Sequence, residues 1–72
     1  MQIDFHIKRL ESIISLLEKR RENCSRMSSE ALKEGHVEKA NVYANELNKI
    51  ERFLRELYQL KLSLNRISLR LS

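Results

Sequence analysis

The 72-residue chain contains no proline and a single glycine, and one third of its residues are charged. This composition favours long, uninterrupted helices and excludes a sheet with tight turns, which needs more glycine and proline. The formal net charge of +4 favours acidic partners, without selecting among lipid, protein and nucleic acid. A chain of this length forms one domain at most, and two helices alone bury only a small core.

The first predicted helix covers about residues 3–34, with Asp4 as its N-cap. Its apolar residues alternate spacings of four and three, a heptad repeat that predicts burial along one narrow seam. Arg21 and Ser28 fill two places in this repeat. The apolar seam residues are Ile3, Ile7, Leu10, Ile14, Leu17, Cys24 and Ala31. Further apolar residues that widen the seam are Ile13, Leu16, Met27 and Leu32.

Gly35 follows this helix at the position where a glycine in the left-handed conformation ends a helix. A turn at 35–37 then leads into a second predicted helix over about 37–72. Glu38 lies in its first turn, where a carboxylate interacts favourably with the helix dipole. The seam of this helix has the same spacing and contains Ala40, Tyr43, Leu47, Ile50, Leu54, Leu57, Lys61, Leu64, Ser68 and Leu71.

So short a connection predicts an all-α fold, a long antiparallel helical hairpin joined at Gly35. Folding there pairs residues whose numbers sum to about 71. This register places Lys61 next to Glu11. It also places Arg21 next to Glu51. Each arm is expected to be about 50 Å long.

The end of the second predicted helix is apolar on several sides, and such a helix is usually buried on several sides. We therefore expect it to contact another subunit or a further helix of the same chain. The predicted contact residues are Phe53, Leu57, Leu60, Leu64, Ile67 and Leu71.

Basic residues form a strip along the first predicted helix, on the side opposite its seam. Their spacings of 11, 7 and 7 residues return them to nearly one azimuth at about 100° per residue. The strip either is a solvated charged face or binds anionic lipid headgroups. Nucleic acid is not the expected partner, because aromatic residues for base stacking are few. The residues of this basic strip are Lys8, Lys19, Arg26 and Lys33.

No catalytic residue, metal site or cofactor is predicted. The chain has no glycine-rich phosphate loop and no nucleophile motif. His6, Cys24 and His36 would lie too far apart in a hairpin to bind one metal. Cys24 is interpreted as a core residue and His36 as a turn residue. A lone cysteine, and the absence of a signal peptide or of about 20 consecutive apolar residues, predict a cytoplasmic protein.

The sequence around the turn carries a family resemblance. Residues 31–47 read A-L-K-E-G-H-V-E-K-A-N-V-Y-A-N-E-L, which resembles the ESCRT-III pattern A-L-K-x-G-x-x-x-x-A-x-x-Y-A-x-E between the first two helices of that family. Residues 67–71, I-S-L-R-L, look like the continuation of the second helix in the archaeal cell-division (CdvB-type) branch. Arg9, Lys19 and Arg20 match the basic first helix of the family.

The resemblance implies a non-enzymatic subunit of membrane-remodelling filaments that polymerises in archaeal cell division or membrane scission. Its implied partners are further copies of itself, related ESCRT-III-like subunits and an anionic membrane surface. A AAA ATPase would be recruited through chain outside these 72 residues. The implied location is the inner face of the cell membrane, with the division site as one place of action.

Two other functions share part of the pattern. A coiled-coil dimerisation or adaptor module would have the same heptads and no membrane role, but it gives no reason for the turn at Gly35. A tetratricopeptide or MIT-like module would also suit the turn motif. Its helices would be about a dozen residues long in a roughly 34-residue repeat, and no such repeat is present.

Overall fold

A computed structural model describes residues 2–71 of the chain. Helix α1 spans Gln2–Lys33 and helix α2 spans Val37–Leu71. The two helices pack antiparallel in a hairpin of 55 × 15 × 12 Å. The predicted all-α hairpin is confirmed, and the predicted helix ends lie within about a residue of those observed. Ser72, which the predicted second helix included, lies outside the described residues.

The start of α1 differs from the prediction. Because no helix breaker precedes Asp4, the helix begins at Gln2 and Asp4 lies inside its first turn instead of capping it. The carboxylate there still interacts favourably with the helix dipole. Its Oδ1 accepts a hydrogen bond from Ser68 Oγ at 2.9 Å, which connects the beginning of α1 to the end of α2.

The turn is a Schellman motif built on a glycine. Gly35 has φ of 79°, a conformation that a side chain would strain. Its amide donates to Leu32 O at 3.0 Å, and the amide of His36 donates to Ala31 O at 2.8 Å. These two bonds satisfy carbonyls left open at the end of α1. The His36 carbonyl then accepts from Ala40 N at 3.0 Å, so α2 begins at once.

The core follows both predicted seams, but Leu71 at the end of the second seam is exposed, and so are three residues predicted to widen the first seam, Ile13, Leu16 and Leu32. Leu54 is the most deeply buried large side chain, only 1% exposed. Ala31 and Ala40 are buried near the turn, where small side chains let the two backbones approach closely. Larger side chains meet further from the turn. The buried residues are Ile7, Leu10, Ile14, Cys24, Ala31, Ala40, Ile50 and Leu54. Those half-buried around the main cluster are Leu17, Tyr43, Leu47, Leu57 and Leu64.

Polar contacts across the hairpin confirm its register. Lys61 Nζ lies 3.6 Å from Glu11 Oε2, as the pairing of the seams predicted. Nearer the turn, Ser28 Oγ donates to Ala40 O at 3.1 Å. Ser28 therefore uses its place on the seam for a hydrogen bond to the opposite helix.

The predicted neighbours Arg21 and Glu51 do not form an ion pair. Arg21 is half-buried and lines an open groove together with Glu51, but the described residues show no ion pair between them. Glu18 and Glu22 line the same groove. The preceding residue, Arg20, forms the ion pair instead, with Nη2 lying 3.7 Å from Glu46 Oε1.

Candidate functional surfaces

The structure exposes every residue of the basic strip. Lys8, Lys19, Arg26 and Lys33 are all solvent-exposed on α1, and the strip extends about 37 Å along the helix axis. Arg26 Nη2 donates to Asn23 Oδ1 at 2.6 Å. None of the four forms an ion pair with another described residue, so their charges remain available to an anionic partner.

The predicted contact residues of α2 form a second heptad repeat beside the hairpin seam. From Phe53 to Leu71 their spacings alternate four and three. Leu57, Leu64 and Leu71 belong to both repeats, and of these Leu57 and Leu64 are half-buried against the hairpin core. The other four are exposed: Phe53, Leu60, Ile67 and Leu71. Three apolar positions in each heptad are typical of a helix in a bundle of more than two helices.

The ion pair between Arg20 and Glu46 marks one side of the hairpin. Side chains seven residues apart share a helix face, so Ile13, seven residues before Arg20, lies on that side. On α2 the positions 7, 14 and 21 residues after Glu46 are all exposed and apolar. We call this surface the Phe53 face, and it consists of Ile13, Phe53, Leu60 and Ile67.

The opposite side is marked by two other contacts between the helices, Lys61 with Glu11 and Ser68 with Asp4. A second group of exposed apolar side chains lies on this side of α2, within about 40° of one another around the helix axis. We call this surface the Tyr58 face, and it consists of Tyr58, Leu62 and Leu69. The end of α2 therefore carries two different apolar faces on opposite sides. The sequence showed only that this segment is apolar on several sides.

The two sides also differ in charge. The edge of α1 beside the Tyr58 face carries acidic residues seven apart, Asp4, Glu11 and Glu18. The edge beside the Phe53 face carries Arg20, which is paired with Glu46 of α2. The Tyr58 face thus has an acidic border on α1, whereas an ion pair borders the Phe53 face.

The histidines and the cysteine of the described residues lie apart from one another. Among residues 2–71, no three His, Cys, Asp or Glu side chains are grouped so that they could hold a metal ion. His6 is exposed near the start of α1, and Cys24 is buried in the core. His36 lies at the turn, where its Nδ1 is 3.4 Å from Glu34 Oε2. Within the part of the chain that the structure describes, neither helix is long and apolar enough to cross a membrane.

Comparison with protein-family models, with curated proteins and with solved structures finds no match to this chain.

Proposed function

We propose that this chain is a non-enzymatic subunit of an ESCRT-III-like filament that assembles on membranes during archaeal cell division or membrane scission. The observation that carries the proposal is the pair of different apolar faces on opposite sides of α2. An interface between two different surfaces generates open filaments when its rotation does not close a ring. The Phe53 face of one copy would pack against the Tyr58 face of the next.

The size and charge of the two faces support this contact. Each of their seven side chains exposes on the order of 100 Å², and the polar residues around them extend the contact towards the roughly 1,200 Å² of a small stable interface. Joining unlike faces places the acidic border of one copy beside the Arg20–Glu46 ion pair of the next. Joining two Tyr58 faces would place two acidic borders together, which costs free energy.

The basic strip supplies the membrane contact in this proposal. It lies on the outer side of α1, away from both apolar faces. Lysine and arginine near an anionic bilayer each contribute about 1 kcal/mol, and salt screens this attraction. Related ESCRT-III-like subunits, and a AAA ATPase recruited through chain outside these residues, are the further partners that the resemblance implies.

Co-sedimentation with anionic and neutral vesicles, followed by electron microscopy of the pellets, tests the membrane part. The variant K8E/K19E/R26E/K33E reverses the charge of the strip without altering a buried residue. We expect filaments on anionic vesicles only, binding that weakens with added salt, and loss of both in the variant. A chain that stays in the supernatant with every lipid would overturn the proposal.

Mixing two assembly variants tests the contact between unlike faces. F53Q/L60Q damages one face and Y58Q/L62Q damages the other, so neither variant should assemble alone. Mixed together, their intact faces should combine into a one-to-one heterodimer that grows no further. If the Y58Q/L62Q variant alone forms the same oligomer as the unmodified chain, copies meet through like faces and the filament proposal fails.

A coiled-coil adaptor without a membrane role is the second candidate. It is favoured by the alternation of four and three between Phe53 and Leu71, which is also the pattern of a symmetric coiled-coil seam. This function requires a finite dimer in solution that is indifferent to lipid. Analytical ultracentrifugation over a range of concentrations separates it from the open assembly.

A further inference from the structure

A short motif occurs twice in α1, eleven residues apart. Residues 5–9 read F-H-I-K-R and residues 16–20 read L-L-E-K-R. In each, a large apolar residue is followed by lysine at the third position and arginine at the fourth. Eleven residues complete three helical turns with a drift of only about 20°. Phe5 and Leu16 therefore lie almost in line, about 16 Å apart, and each has a lysine on one flank and an arginine on the other.

The first residue of each copy of the motif points into solvent. Phe5 is 62% exposed and Leu16 is 68% exposed, the two largest values among the large apolar side chains of α1. Neither belongs to the hairpin core or to the Phe53 face. Two solvent-exposed side chains of this size, aligned on one helix and bordered by cations, require a reason that hairpin packing does not supply.

The acidic residues of the same stretch lie away from this line. Asp4 accepts a hydrogen bond from Ser68, Glu11 pairs with Lys61, and Glu18 is half-buried. Around the axis of α1, a sector of roughly 140° centred on Phe5 and Leu16 contains no carboxylate between residues 5 and 29. Its charged residues are all basic: Lys8, Arg9, Lys19, Arg20 and Arg26.

We infer that Phe5 and Leu16 insert into the headgroup boundary of an anionic bilayer while Lys8, Arg9 and Lys19 contact the lipid phosphates. The inference rests on the proposed function and changes its physical basis, because binding then has an apolar component as well as a charge component. A helix lying in the plane of a membrane has this arrangement, with apolar side chains inserted and long basic side chains reaching back to the headgroups.

The apolar centre of this sector favours a membrane over nucleic acid. A phosphate backbone would interact with the cations, but it would leave Phe5 and Leu16 in water. The aliphatic side chain of Leu16 gives no stacking platform for a base. Arg20 is already paired with Glu46 at 3.7 Å, so Lys8, Arg9 and Lys19 carry the contact.

Two matched variants test insertion without changing net charge. F5Q/L16Q removes both apolar side chains from the line, and L32Q/V37Q removes two others of comparable exposure near the turn. Partitioning onto vesicles of phosphatidylserine and phosphatidylcholine should fall at least tenfold for F5Q/L16Q and less than twofold for L32Q/V37Q. Circular dichroism of each variant confirms that both helices remain.

Tryptophan fluorescence gives a direct readout, because the natural chain contains no tryptophan. In F5W and L16W the emission should shift to the blue on anionic vesicles and be quenched by lipids brominated in their acyl chains. L32W should show neither effect.

The outcomes separate this inference from the proposed function. Vesicle binding that is salt-sensitive and lost in K8E/K19E/R26E/K33E, but equal in F5Q/L16Q and L32Q/V37Q, overturns insertion and keeps the membrane subunit. Absence of all vesicle binding overturns both. Binding to a nucleic acid duplex with no vesicle binding also overturns both. The basic residues of α1 would then contact the phosphates of a nucleic acid backbone.

Discussion

The hydroxyl of Ser28 donates a hydrogen bond to the carbonyl oxygen of Ala40, 3.1 Å away on the opposite helix. The contact requires the two backbones to lie close together. Ala40 is only 2% exposed, and no larger side chain fits at this level without separating the helices. The small residues next to the turn therefore set the distance between the two helices and the register in which they pair.

Overpacking this level should destabilise the hairpin. Ala40→Leu is expected to lower the free energy of unfolding by about 1–3 kcal/mol, because the added side chain displaces α1 and breaks the Ser28 hydrogen bond. Asn41→Leu, at the exposed neighbouring position, should change it by less than about 0.5 kcal/mol. Urea denaturation of both variants by circular dichroism measures the difference. Equal effects would show that the helices do not meet closely at Ala40.

The glycine at the turn is required for its conformation and not for its size. A Cβ atom built on Gly35 meets nothing within 4 Å, yet its φ is 79°. Gly35→Ala should therefore cost about 1 kcal/mol of stability through backbone strain alone. Gly35→Asn should cost less, because asparagine adopts the left-handed region more readily. Thermal unfolding of the two variants is the measurement, and a larger loss for asparagine would contradict this explanation.

The buried seam carries most of the packing energy. Leu54→Ala removes the most deeply buried large side chain and should destabilise the hairpin by about 2–5 kcal/mol, a large share of what so small a core can supply. Leu62→Ala on the exposed side of α2 should stay within about 0.5 kcal/mol. Chemical denaturation at low protein concentration keeps self-association out of the comparison.

Lys61 interrupts the apolar seam of α2 with a charged residue. Its ion pair with Glu11 spans 3.6 Å between side chains that are 35% and 49% exposed, so solvent screening keeps its contribution at about 0–1 kcal/mol. Lys61→Leu should be neutral or should stabilise by about 1 kcal/mol, because it completes the apolar repeat of α2. Glu11→Gln is the control for loss of the pair alone. Marked destabilisation by Lys61→Leu would mean that the ion pair matters more than the packing.

Assembly should make the thermal stability of the chain depend on its concentration. Copies that associate only when folded raise Tm as concentration increases. The unmodified chain should therefore show a rising Tm, whereas F53Q/L60Q/I67Q should give a constant one. Differential scanning calorimetry at several concentrations tests this. A Tm that stays constant for the unmodified chain would argue against self-association through the Phe53 face.

Much of the hairpin could be predicted because two local signals agree. The heptads of both helices locate the buried stripe, and the single glycine of the sequence, Gly35, locates the turn. Together they give the antiparallel register, which Lys61 and Glu11 confirm at 3.6 Å. A helix that packs against a single other helix buries one stripe of side chains. The seam residues that face apolar residues of the opposite helix are therefore buried or half-buried.

Other features were decided by the tertiary structure. A seven-residue repeat does not say which of two adjacent basic side chains reaches across, and packing selected Arg20 with Glu46 over Arg21 with Glu51. The repeat also does not show on which side of the hairpin an apolar residue next to the seam lies. The separation of the Phe53 face from the Tyr58 face became visible only once contacts between the helices fixed their mutual rotation. Periodicity is a property of one helix, whereas a shared surface depends on how two helices are oriented about their common seam.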